Sequence, residues 1–375
     1  MRGDAKIKLM WGIALLLLMA CLSFFIARQS VYSDFTILYS AAHAVLDGKS
    51  VYDLNLAETY PVPEPLEKKN LFIYSMPSAY LLSPLAFLDY YTAKAAMIFL
   101  NIVLYIAGVA IILRNKVSGR WFTYPLLFSL MWFPFIQGIR SGQVNAIIFF
   151  LLVIAVYYAE KEHYGAAGFF LAFASLFKLF PIGIAFALGL KHWRITAYCI
   201  LFFCASLLIP GSLQWFAAIG NIYVTDFMPT YFFFKEGNLI SLLYGLAIMA
   251  YTGFIIIQYR DADTFLLVAF AIPAIFLLMP IVEYHHLTLL IFSYAVMLNN
   301  SDRKDLIIML ATFLLLNASL MISRQSYLFN LPLLTKIIWL SMIFTVWFLV
   351  ARKITAVKTI NCFTGKSKEN LLTAE

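Results

Sequence analysis

Runs of apolar residues long enough to cross a lipid bilayer recur from Leu9 to Val350, parted by short polar breaks. About 18 such residues in a row suffice for a spanning helix. A soluble core cannot absorb them instead, because the chain is 63% hydrophobic and only 12% charged, beyond the usual apolar share of a globular domain. The expected fold class is an all-α polytopic membrane protein. In such a chain the net charge of +8 bears on orientation rather than on nucleic acid, because positive loops stay cytoplasmic.

The four cysteines form no CxxC pair and no zinc spacing; Cys21, Cys199 and Cys204 fall in apolar runs and Cys362 in the tail. Neither a disulfide framework nor a metal site is expected from them. MRGDAKIK followed by an apolar run has the form of a signal peptide, and MAC (19–21) that of a lipoprotein cleavage site. The run continues past Cys21 to Ile26, so an uncleaved first helix is expected at about Leu9–Ala27.

The first long polar segment, 28–91, follows. Phe35, Leu38, Ala42 and Val45 recur at helical spacing and Gly48 supplies a stop, so 34–47 reads as a helix able to lie flat in the interface. The stretch 74–89 carries two prolines and is too short and broken for a comfortable span; it reads as a second interfacial helix. Spans are expected at roughly 92–113, 122–138, 144–159, 195–210, 239–257, 262–280, 286–299, 305–322 and 333–351, with short helices at 165–177 and 181–190. That gives about 12 membrane helices, two of them short. The parts are a module over 1–210, a second outer loop over 211–238, a C-terminal bundle over 239–351 and a basic cytoplasmic tail over 352–375. With both termini cytoplasmic, most of the Lys and Arg residues lie inside. Making 74–89 a span and fusing 165–190 moves positive charge outside. It also strands Lys178 at the bilayer centre, at about 2.5–3.5 kcal/mol. A break at KLFP (178–181), where Pro181 interrupts the helix, avoids both.

In that topology the anomalous polar residues share the outer face: Asp34, Arg140 in the turn GIRSGQVN with Gln143 and Asn145, Lys178, Asn238 in GNLIS, and His285 and His286 in EYHH. A carboxylate, cations, amides and paired histidines suit an anionic, polar-headed lipid. Each has a plainer reading. Asp34 fits a helix N-cap, Arg140 a snorkelling interfacial arginine, and Gln143 and Asn145 satisfied turn groups. The histidines fit an aromatic belt, although with Glu283 they also allow a two-histidine, one-carboxylate metal site. Lys178 is harder to dismiss, since a lysine between two apolar half-helices normally marks function. Most of the 35 Phe, 22 Tyr and 7 Trp read as lipid-facing packing.

The segments DFTILYSAAHAVLDGKSVYD (34–53), FIYSMPSAYLLSPLAFL (72–88), GQVNAIIFFLL (142–152), AAGFFLAFASLFKLFP (166–181), GNLIS (237–241) and the HH pair come in a telling order. Together they resemble the polyprenyl-phosphate-dependent GT-C glycosyltransferases, and more closely glycosyltransferase family 87. The resemblance implies a GT-C fold, with a seven-helix module and a catalytic Asp in the first outer loop, here Asp34. It implies transfer of a mannose- or arabinofuranose-like sugar from a polyprenyl-phosphate donor to an acceptor hydroxyl of a glycolipid or polysaccharide, with inversion. Asp34 would be the general base and Lys178, then Arg140, the phosphate-binding cations. His285, His286, Gln143, Asn145 and Asn238 would position donor or acceptor. The site would face outward from the cell membrane, with no certain cofactor and a divalent cation possible.

The same residues suit other functional classes less well. A transporter or lipid-linked-sugar flippase also uses intramembrane charges and broken helices, yet the two halves show no repeat and the polar residues cluster at one surface. A structural partner without chemistry would tolerate loss of Asp34. An intramembrane protease lacks its Ser/His or paired-Asp arrangement.

Overall fold

The computed structural model describes residues 2–29, 34–52, 56–60, 62–63, 72–116, 126, 128–220, 238–279, 282, 284–300, 303–325 and 332–364. All regular structure among them is helical. The order is α1 (Arg2–Gln29), α2 (Phe35–Leu46), α3 (Leu56–Thr59), α4 (Met76–Leu82) running into a 3₁₀ segment (Ser83–Phe87), and α5 (Tyr90–Lys116). Then come α6 (Phe133–Ser141), α7 (Asn145–Glu160), α8 (Tyr164–Phe177), α9 (Pro181–Gly189), α10 (Trp193–Ser206) and α11 (Gln214–Gly220). The last third holds α12 (Leu239–Gln258), α13 (Thr264–Leu278), a 3₁₀ segment (Tyr284–Leu289), α14 (Leu290–Asn300), α15 (Arg303–Gln325) and α16 (Pro332–Thr364).

Among the described residues three helical stretches are long and apolar enough to cross a membrane: Tyr90–Leu113, Leu239–Gln258 and Ile337–Ala356. Leu17, Phe25, Ile240, Phe254 and Leu315 are all exposed, an apolar surface that lipid solvates and water does not. The helices α1, α5, α7, α8 and α10 pack in succession; α13 packs on α16 and α14, and α9 and α14 join the two groups.

Several elements differ from the sequence expectation. The expected span 122–138 is broken: the chain turns at Leu130–Trp132 and restarts as α6, with Pro134 in its first turn, where a missing N–H does no harm. Residues 121–125 lie outside the described set. Arg140 therefore sits in the last turn of a helix rather than in a loop. The expected cytoplasmic tail from 352 is helical as far as Thr364. The helix expected to rest on the interface is instead enclosed by protein, with nine buried residues, because α4 and the 3₁₀ segment after it cover its other side. The short helices 76–87 expose Tyr80, Leu81 and Phe87. The break at KLFP stands as expected: Lys178 is extended at φ −151°, and Pro181 opens α9.

The C-terminal bundle grips the restart at α6. Asn317 Oδ1 on α15 accepts from the backbone N–H of Phe133 at 2.7 Å, and Trp132 Nε1 donates to the Leu287 carbonyl at 3.1 Å. Trp132 also stacks on Phe313. Those contacts satisfy a helix N-terminus that would otherwise be left unpaired in an apolar setting.

Candidate active site

Asp34 holds the N-cap position of α2, but its backbone is helical (φ −62°, ψ −17°) and its side chain makes no capping bond. An N-cap residue normally adopts extended dihedrals, so that its oxygen can reach the second or third N–H. Three other polar residues at helix starts do cap: Asp89 accepts from Thr92, Asn238 from Ile240 and Asp263 from Leu266. Asp34 instead turns its carboxylate outward, where Oδ2 accepts from Gln143 Nε2 at 2.5 Å.

Gln143 is aimed by the end of α6. Its N–H bonds the Gly138 carbonyl and the Gly142 N–H bonds that of Ile139, a Schellman closure with Gly142 left-handed at φ +67°. A Cβ on Gly142 would meet Phe35 Cβ at 2.5 Å, so this turn presses directly on the first residue of α2. The turn and the carboxylate are thereby held together.

Gln143 Oε1 accepts from the Tyr74 hydroxyl at 3.1 Å and lies 3.5 Å from Lys178 Nζ, which is itself 3.5 Å from His285 Nε2. Tyr74 is fixed by its surroundings. Ser75 N–H donates to the Leu176 carbonyl, Trp215 Nε1 to the Ile73 carbonyl, and the Tyr52 hydroxyl to the Tyr74 carbonyl. Burial pushes the Tyr52 phenol above its ordinary range, so it stays a donor. The break after α8 releases Lys178 into this cluster half-buried rather than into the helix.

His285 and His286 are both buried, their rings 4.6 Å apart. Among the described residues His285 reaches Lys178, whereas His286 faces the Phe180 ring. Among the described residues no three His, Cys, Asp or Glu side chains converge as a metal site would need, and Glu283 lies outside them. Asn145 is buried, and among the described residues neither of its side-chain polar atoms has a partner; it lies beside a small cavity lined by Asn101, Phe135, Gly138, Gln143 and Thr288. Arg140 is exposed in the last turn of α6, where a cation complements the helix dipole. Asn238 is exposed and serves as a cap.

The structure thus brings Asp34, Gln143, Lys178 and His285 into one chain of contacts, with Asn145 adjoining. Arg140 and Asn238 stay apart from that chain. Sequence reading missed Tyr74, one of 22 tyrosines and without a distinguishing neighbour. It also missed Lys94, fully buried one turn into α5, with Nζ 5.7 Å from the Tyr90 ring centre. Tyr90 in turn meets Thr36 at 2.9 Å, two residues from Asp34. A lysine inside an apolar run was a readable signal.

Residues 72–298 match the sequence profile of glycosyltransferase family 87, more than half of the chain. The match includes Tyr74, Gln143, Lys178 and the histidines; Asp34 precedes it. An α-(1→3)-arabinofuranosyltransferase of Corynebacterium glutamicum is 26% identical over 226 residues, 58% of this chain and 51% of that protein. The chain thus matches about half the length of that relative. Two crystal structures of ArnT from Cupriavidus metallidurans are similar at low identity. The form bound to undecaprenyl phosphate has a TM-score of 0.45 at 11% identity, over 93% of this chain and 78% of that one. The apo form has 0.46 at 12%, over 92% and 78%.

Proposed function

Since the chain belongs to glycosyltransferase family 87, a GT-C family of membrane glycosyltransferases, we propose that it moves a sugar from a polyprenyl-phosphate donor to an acceptor hydroxyl, with inversion and with Asp34 as general base. Asp34 takes the proton of the acceptor hydroxyl as its oxygen bonds the anomeric carbon. The bond from that carbon to the donor phosphate oxygen breaks, and polyprenyl phosphate leaves with the electron pair. Lys178 offsets the charge that gathers on the leaving phosphate, and His285 beside it orients phosphate or acceptor. The reaction takes place on the non-cytoplasmic face of the cell membrane, with both chain termini inside. The arabinofuranosyltransferase relative favours a pentofuranose as the sugar, and the acceptor hydroxyl is that of a glycolipid or polysaccharide.

One observation carries the reading: Asp34 sits where a helix cap belongs yet gives its carboxylate to Gln143, in line with a half-buried lysine. A capping aspartate would have no reason to forgo its backbone partners. Membranes carrying the protein, supplied with a panel of polyprenyl-phosphate sugars and analysed by mass spectrometry, should yield one glycosylated product. Asp34→Asn should lower that transfer at least 100-fold, the lower range for a general base, at unchanged expression; full activity would remove Asp34 from the chemistry.

A further inference from the structure

No ion pair joins Asp34 to Lys178 among the described residues; each meets a different end of the Gln143 amide. An ammonium only donates and an ionised carboxylate only accepts, so one orientation of the amide serves both: Nε2 toward Asp34 and Oε1 toward Lys178. The Tyr74 hydroxyl, donating to the same Oε1 at 3.1 Å, locks that orientation. Two donors on the carbonyl polarise the amide and strengthen the bond its N–H₂ makes to the carboxylate. Oδ2 is thereby committed, whereas Oδ1 makes no hydrogen bond among the described residues.

We infer that Gln143 is a positioning residue that acts as a neutral spacer between base and cation, with Tyr74 fixing its direction, and that Oδ1 of Asp34 is the oxygen that receives the acceptor proton. The inference rests on the reading of Asp34 as base and Lys178 as phosphate cation. A direct Asp–Lys pair would make the carboxylate a weaker base and would occupy the ammonium needed by the phosphate. An amide between them transmits orientation without neutralising either group. Its place at the end of a Schellman turn that touches Phe35 keeps the spacing fixed.

The test compares pH–rate profiles of Gln143→Glu and Gln143→Leu. A carboxylate at 143 pairs with Lys178 and repels Asp34, so the acid limb moves up by about one unit and the donor KM rises. Leu at 143 removes the spacer and lets Lys178 approach Asp34, so the acid limb moves down and kcat falls. Among the described residues, the other charged or titratable groups around this cluster include Tyr39 and His43 on α2, Tyr52 and Tyr74, Tyr90 and Lys94 on α5, Arg140 on α6, and His285 and His286. They are the same in every variant, and a merely structural role gives no such opposed shifts. Gln143→Asn, which keeps the amide but falls one methylene short, guards against misfolding in the other two; its kcat should drop about tenfold or more with the unfolding midpoint held. Profiles that superimpose on the parent, or an unimpaired Asn variant, would overturn the spacer role. If Asp34→Asn is inactive and the Gln143 profiles do not move, only this inference fails; if Asp34→Asn is fully active, the base reading fails with it.

Discussion

The Asn145 amide opens α7 with neither its oxygen nor its nitrogen partnered among the described residues. A buried polar group left unpaired forfeits about 1–3 kcal/mol of desolvation. Replacement by an apolar residue of similar size should therefore be neutral or stabilising. Asn145→Leu is expected to keep or raise the thermal midpoint in detergent while transfer activity falls, the signature of a side chain retained for a ligand. A lowered midpoint with normal activity would make it a structural residue. At this scale the sequence made the charged members of the site legible. Lys178 stood out because a cation between apolar half-helices is costly, and Asp34 because it follows a membrane exit. Tyr74 did not, because its partner lies 69 residues away and only the folded chain shows which tyrosine meets Gln143. Arg140 and Asn238, expected on the same outer face, make other contacts in the fold: one complements the dipole of its helix, the other caps its own.

Gly142 decides how α6 hands over to α7. Its left-handed backbone costs a residue with a Cβ about 1–2 kcal/mol, and that Cβ would also overlap Phe35 at the start of α2. Gly142→Ala should thus shift α2 away from the turn, lengthen the Gln143–Asp34 contact and lower kcat more than it lowers stability. Activity equal to the parent's at an unchanged melting temperature would show that the turn does not position the carboxylate. Helix starts and stops of this kind were readable where a glycine or proline marked them, as at Gly48 and Pro181. The restart at Phe133 carries such a mark in Pro134, although the expected span 122–138 ran through it; what only the fold shows is the distant amide of Asn317, which offers the Phe133 N–H a partner. Periodicity likewise described the apolar stripe of α2 correctly and its surroundings wrongly, since a stripe that suits lipid suits protein equally well.

Across the whole molecule, polar contacts gather at two ends joined by apolar helices. Asp34, Gln143, Lys178 and His285 mark one end; Glu160, Lys191 and Thr264 mark the other. There Lys191 Nζ donates to the Ala262 carbonyl at 2.7 Å and to Thr264 Oγ1 at 3.1 Å, and Glu160 accepts from Thr264 N–H. Burial lowers the Lys191 ammonium's pKa, with Glu160 and Asp261 opposing. The helix α7 runs from Asn145 at the first end to Glu160 at the second, 16 residues, or about 24 Å at 1.5 Å per residue. That length approaches the hydrocarbon thickness of a bilayer, so the two ends belong at opposite surfaces. Lys161, Lys191, Arg194 and Arg260 all fall near the far end, and the positive-inside tendency predicts that this end is cytoplasmic. The proposed outward-facing site rests on that expectation. In a variant freed of Cys21, Cys199, Cys204 and Cys362, Ser50→Cys near the site end should react with a membrane-impermeant maleimide on intact cells, because Ser50 is exposed. Glu162→Cys, exposed just beyond α7, should react only after the membrane is opened. The reverse pattern would turn the site toward the cytoplasm, where nucleotide-linked sugars are available. A lipid-linked donor would then lose its rationale, even if Asp34 remained the base.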